Sequence, residues 1–160
     1  MFNPSNITTI VFDWGRTIWN PDSDALFHGA RKILERLSVG RRLMIVSLAT
    51  KGAEEIERRK RIIADLEIAG LFTDIVFVSE EKDEAYVSLF AKHELDHTKT
   101  VIVDDRIIRG IAWGNRTGVY TIWFQNGKFK DELPSEETGE PTFTITDFEQ
   151  LGPIFTPNPA

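Results

Sequence analysis

The chain has 160 residues, 41% of them hydrophobic and 28% charged, which suits one domain with a sizeable core. Its formal net charge of -6 repels a nucleic-acid duplex or an anionic membrane on average, so neither is expected as a partner. It contains no cysteine, which excludes disulfides, thiolate metal sites and cysteine nucleophiles and suits a reducing cytoplasm. Met1 to Asn6 lacks the charged start and apolar run of a signal peptide. No apolar stretch approaches the roughly 20 residues needed to cross a bilayer.

Ile7 to Phe12 is a β-branched run and predicts a buried first strand ending at Asp13. Trp14 to Asp24 is broken by Gly15, Asn20, Pro21 and Ser23 and reads as a loop. Leu26 to Leu37 has helical spacing, and Leu43 to Leu48 is a second strand. Gly52 to Ile68 is a charged helix with Ile56, Ile62, Ile63 and Leu66 on an inner face. Its basic cluster, Arg58 to Arg61, is interleaved with Glu54, Glu55, Glu57 and Asp65 and reads as a solvated helix face.

Ile75 to Val78 is a third strand, followed by a helix from Asp83 to Leu95. Val101 to Val103 is a fourth strand that stops at Asp104 and Asp105, and Ile107 to Arg116 is a helix ending near Gly118. Val119 to Phe124 is a fifth strand. The stretch 126–141 is polar and acidic and reads as an exposed excursion. Phe143 to Thr146 adds a short sixth strand, Asp147 to Leu151 a brief helix, and 156–160 a frayed tail. Strand and helix thus alternate through residues 1–160 with no internal repeat or linker. The pattern predicts a single α/β domain, a doubly wound parallel sheet covered by helices on both faces.

In such sheets ligands collect beyond the carboxyl ends of the strands. There the sequence places Asp13, Ser47, Asp104 and Asp105, with Lys82 just past the third strand at the start of its helix. This set suits phosphoryl transfer, which needs positive charge, hydrogen-bond donors and a positioned nucleophile. Asp13 could be the nucleophile. Asp105, with Asp13 and a backbone carbonyl, could hold Mg²⁺, which prefers oxygen ligands. Ser47 could donate to a phosphate oxygen, and Lys82 could pair with both the phosphate and Asp13. Asp105 suits the metal better than Asp104, because two adjacent acids are not easily aimed at one point.

Four segments in this order resemble the haloacid dehalogenase-like superfamily: Ile10-Val11-Phe12-Asp13-Trp14-Gly15-Arg16-Thr17, Met44-Ile45-Val46-Ser47, Lys82, and Val101-Ile102-Val103-Asp104-Asp105. The resemblance covers Ile7 to Phe124. It implies a Rossmann-like domain and a Mg²⁺-dependent hydrolase acting through an aspartyl-phosphate at Asp13. It also implies a metal ligand in the carbonyl of Gly15. No segment offers room for an inserted cap, so the chain resembles the capless members; this implies a phosphorylated small molecule or macromolecule as substrate, in an open site suited to a large one or to closure by a partner or second subunit.

Two positions depart from the family pattern. Its phosphatases carry a second Asp, a general acid and base, where this chain has Gly15; several members carry a further acid where this chain has Gly110. Losing the proton donor favours acyl or aryl phosphates over alkyl phosphates. It also leaves open a catalytically weak module that binds a phosphorylated ligand or partner protein. Arg16 replaces the family's glycine and is placed to reach a substrate anion or to pair with Asp22 or Asp24. Arg106 and Arg109 read as helix-surface charges, and the four tryptophans as packing residues. A receiver domain of two-component signalling uses similar residues, but its acid pair follows the first strand, whereas here it follows Lys82.

Overall fold

The computed structural model describes residues 1–157, so positions 158–160 of the expected tail lie outside the described residues. In chain order the elements are β1 (Thr9–Phe12), β2 (Trp19–Asn20), β3 (Ala25–Leu26), α1 (Ala30–Leu37), β4 (Arg42–Leu48), α2 (Ala53–Asp65), β5 (Phe72–Val78), α3 (Asp83–Lys92), β6 (Thr100–Asp104), α4 (Ala112–Thr117), β7 (Tyr120–Phe124), β8 (Phe143–Ile145) and α5 (Leu151–Phe155). Six strands form one parallel sheet in the order β5-β4-β1-β6-β7-β8, and β2 and β3 make a small antiparallel ribbon. This is the doubly wound α/β architecture that the alternating pattern predicts, with no cap domain among the described residues.

The strands are near-continuous apolar runs because both faces of the sheet are covered. Ile10 and Phe12 of β1 pack with Leu43, Ile45, Val101 and Val103 against Ile33 and Leu34 of α1, Ile63 of α2 and Leu151 of α5. Val11, between them in sequence, points the other way, with Met44, Val46 and Ile102, against Tyr86 and Leu89 of α3 and Trp113 of α4. Two expected helices start late, each for a local reason. Ala25 and Leu26 pair with Asn20 and Trp19, so α1 begins only after Gly29, whose φ of 75° breaks the chain direction. Residues Ile107–Ile111 form a single π-helical turn before α4, with Arg109 out of helical conformation, because the Asp104 carboxylate captures the backbone N–H groups of Arg106 and Gly110.

The two ends of the described chain meet at Arg41, which donates to the carbonyls of Ile7, Pro4 and Phe155 at 3.1–3.2 Å and lies over the Phe155 ring. Replacing it removes charged hydrogen bonds from half-buried carbonyls, far from the carboxyl ends of the strands. Arg41→Met is expected to lower unfolding free energy by about 2 kcal/mol, read by urea denaturation; a change below about 0.5 kcal/mol would show that the clamp is incidental.

Candidate active site

Three adjacent strands deliver the chemistry. β4, β1 and β6 are neighbours, and their carboxyl ends carry Ser47, Asp13, and Asp104 with Asp105. Asp13 is held in register by its N–H, which donates to the carbonyl of Val103 at 2.9 Å. Lys82, the residue before α3, brings the cation. All five side chains are buried, Asp13 the least, at 8% exposure.

Lys82 is the centre of this group. Its Nζ lies 2.7 Å from Asp104 Oδ2 and 3.4 Å from Asp13 Oδ1. Burial opposes its charge, but Asp104 and Asp13 hold the ammonium well above its usual value of 10.5, so it is a fixed cation. Asp104 takes three donors: Lys82, the N–H of Gly110 on the same oxygen, and the N–H of Arg106 on the other. Its oxygens are thereby committed to the fold, and it serves as the anchor of Lys82. Asp105 is positioned through its backbone, whose carbonyl accepts from Trp123 Nε1 at 2.9 Å.

The remaining carboxylates differ in electrostatic setting. Burial alone would raise Asp13, but the charge of Lys82, the Ser47 hydroxyl and the Trp14 N–H bring its carboxyl below the ordinary 3.8. Burial and the charges of Asp13 and Asp104 push Asp105 up to about 10. Oxygens of Asp13, Asp104 and Asp105 lie within 4.8 Å of one another. Three carboxyl groups, all hard oxygen donors, crowd one ammonium, and Asp105 holds a proton there that a bound divalent cation would displace. That donor set fits a divalent cation such as Mg²⁺, with Asp13 and Asp105 free to ligate it and Asp104 already bonded.

The group opens into a cleft of about 450 Å³ that Gly15, Arg16, Trp14 and Trp19 also line. No sequence-family model and no curated protein sequence matches the chain. Solved structures do. The HAD-hydrolase YfnB from Bacillus subtilis, in a magnesium-bound form, superposes with a TM-score of 0.75 at 15% identity over 94% of this chain and 99% of that one. The D,D-heptose 1,7-bisphosphate phosphatase from Burkholderia thailandensis gives 0.72 at 20% identity over the same shares, 94% and 99%. The haloacid dehalogenase-like family protein SP0104 from Streptococcus pneumoniae gives 0.67 at 15% identity over 92% and 97%. The chain has the haloacid dehalogenase-like fold.

Within that fold, the two unusual glycines have different surroundings. A Cβ on Gly110 would stand 2.5 Å from Asp104 Oδ2 and 2.7 Å from the Tyr86 hydroxyl, so only glycine lets this backbone N–H reach Asp104. A Cβ on Gly15 would meet only Arg59, with Nη2 at 3.8 Å. Arg59 is the residue that sequence reading missed. The charged run predicts a solvated helix face for it, yet it is half-buried in the cleft. It donates to Ser47 Oγ at 2.9 Å and to the Leu48 carbonyl at 3.2 Å, and pairs with Glu55 at 2.7 Å. The Glu55-to-Arg59 spacing of one helical turn was the available signal.

Arg16 is bound to Asp22 through both terminal nitrogens, at 2.9 and 3.1 Å, and adopts a left-handed φ of 62°. Its guanidinium passes so close to Gly127 that a Cβ there would lie 2.5 Å from Nη1. Arg106 and Arg109 also line the cleft. Arg106 lies 3.7 Å from the Phe129 ring centroid and donates to Glu132, so the first part of the 126–141 excursion forms one wall of the site.

Gly110→Ala is expected to destabilise the protein by about 1–3 kcal/mol and to weaken Lys82's hold on Asp104. Thermal melting checks the first effect; wild-type stability in the variant would show that the close approach of Gly110 to Asp104 is not needed.

Proposed function

We propose that this protein is a Mg²⁺-dependent phosphatase that acts through an aspartyl-phosphate at Asp13. The observation that carries this reading is a carboxylate at a strand end, 3.4 Å from a buried, permanently charged Lys82 and facing a second buried carboxylate, Asp105, at the floor of a cleft. The magnesium-bound state of the YfnB structure supports the choice of cation.

Asp13 and Asp105 would hold Mg²⁺, with the carbonyl of Gly15. When bound, the ion supplies charge neutralisation that lets a phosphate dianion approach the carboxylates. Asp13 is kept ionised by Lys82, and so is nucleophilic at neutral pH. The Ser47 oxygen accepts from Arg59, and its hydroxyl proton, which supports the ionised Asp13, would turn to a phosphoryl oxygen when the substrate is bound. Lys82 is held by Asp104 on the side away from the cleft and offers its remaining charge to the phosphoryl group. None of these residues protonates a leaving group, so substrates whose leaving groups are weak bases are favoured. A non-catalytic module that binds a phosphorylated partner would use the same pocket, and turnover separates the two.

Mg²⁺-dependent phosphate release from acetyl phosphate or an aryl phosphate is expected in the wild type, with sugar phosphates slower, and its loss in Asp13→Asn. Equal rates in the two proteins would contradict the reading. Gly15→Asp has room for its side chain and restores a proton donor; activity on alkyl phosphates is expected to rise, up to the 10²–10⁴-fold range typical of general acid catalysis. No gain would show that the missing acid is not what limits those substrates.

A further inference from the structure

Resting on that reading, we infer that the substrate is a terminal phosphoanhydride, in which the group that leaves already carries the negative charge of a second phosphate. The side of the pocket at Gly15 has an arginine where a carboxylate would otherwise stand. Arg59 is fixed there by Ser47, the Leu48 carbonyl and Glu55, and its Nη2 lies 3.8 Å from the position a Gly15 Cβ would occupy. A carboxylate at this point would repel an anionic leaving group. A guanidinium attracts one: Nη1 is taken by Ser47 and Leu48, but Nη2, which faces Gly15, has a second N–H beyond the one given to Glu55.

The rim extends the same preference. Lys51, Arg58, Arg109 and Lys128 line the cleft, and none of the four takes part in an ion pair among the described residues. Unpaired cations concentrated at one opening of a chain with net charge -6 mark a place where further negative charge is received. A lone phosphate at Asp13 would leave them without a role.

The chemistry needs no protein acid. An Asp13 oxygen attacks the terminal phosphorus, the bridging P–O bond breaks, and its electron pair leaves on the oxygen of the remaining phosphate. That oxygen requires no proton, because a phosphate monoester loses its second proton at a pKa of about 6. Water then attacks the phosphorus of the aspartyl-phosphate, the P–O bond to Asp13 breaks to return the carboxylate, and both protons of the water leave with the released phosphate as dihydrogen phosphate.

Adenosine diphosphate and acetyl phosphate serve as probes. Both have weakly basic leaving groups, but only in the first does that group carry negative charge before the P–O bond breaks. The wild type is expected to favour the diphosphate in kcat/KM, and Arg59→Gln to reduce that preference by about tenfold. Calorimetry on Asp13→Asn, where nothing turns over, is expected to show diphosphate binding that weakens by about tenfold when Arg59→Gln is added. Gly15→Asp leaves Arg59 and its Glu55 pair in place but sets an acidic side chain beside the anion's path, and is expected to reduce the same preference, which covers a poorly folded Arg59 variant. Turnover of acetyl phosphate with no preference for the diphosphate overturns this inference and leaves Asp13 chemistry standing. An equal loss on both substrates in Arg59→Gln also overturns it. Turnover of neither substrate overturns both readings.

Discussion

A single buried ammonium organises this protein. Lys82 has left water at a cost of several kcal/mol, which is tolerable only because Asp104 and Asp13 flank it. The two carboxylates are not equivalent. Asp104 is spent on structure: besides Lys82 it gathers two backbone N–H groups of the following turn, which forces that turn out of α-helical geometry and requires glycine at position 110. Asp13, the most exposed of the group, lines the cleft. The same cation thus fixes the loop after β6 and sets the charge state of the proposed nucleophile.

Around that centre the balance of charge is shifted. Gly15 removes a carboxylate, and Arg59 approaches from α2 to occupy the neighbouring space. Arg16 holds a left-handed conformation that costs a non-glycine residue about 1 kcal/mol, and its guanidinium is turned onto Asp22 beside Gly127. Phe129 and Glu132 bring Arg106 to the same opening. The floor of the pocket carries Asp13 and Asp105, and basic side chains outnumber acidic ones on its walls, the arrangement on which the proposed cation and anion sites rest.

The legible part of this architecture is what strand chemistry dictates. β1, β4 and β6 are apolar runs that terminate in Asp13, Ser47 and the Asp104–Asp105 pair, and an open parallel sheet leaves few other places for such ends to meet. That the two acids at the end of β6 have different surroundings was hidden: Asp104 is occupied by N–H groups, which no residue type announces. Arg59 was illegible for a related cause. A run of Arg58, Arg59, Lys60 and Arg61 looks solvated, and which of the four turns inward depends on how α2 is rotated on the sheet. The β2–β3 ribbon rests on pairing of Trp19 with Leu26 across a stretch whose composition signals only turns. The wall made by Phe129 and Glu132 depends on contacts with Arg106, a residue more than twenty positions earlier in the chain.

The most direct test is to look for the covalent bond itself. Wild-type protein mixed with Mg²⁺ and acetyl phosphate labelled in its phosphoryl group, then quenched in acid, should retain label on Asp13, released by hydroxylamine as an acyl phosphate is and absent from Asp13→Asn. Phosphate release with no label on the protein at any quench time would contradict the account.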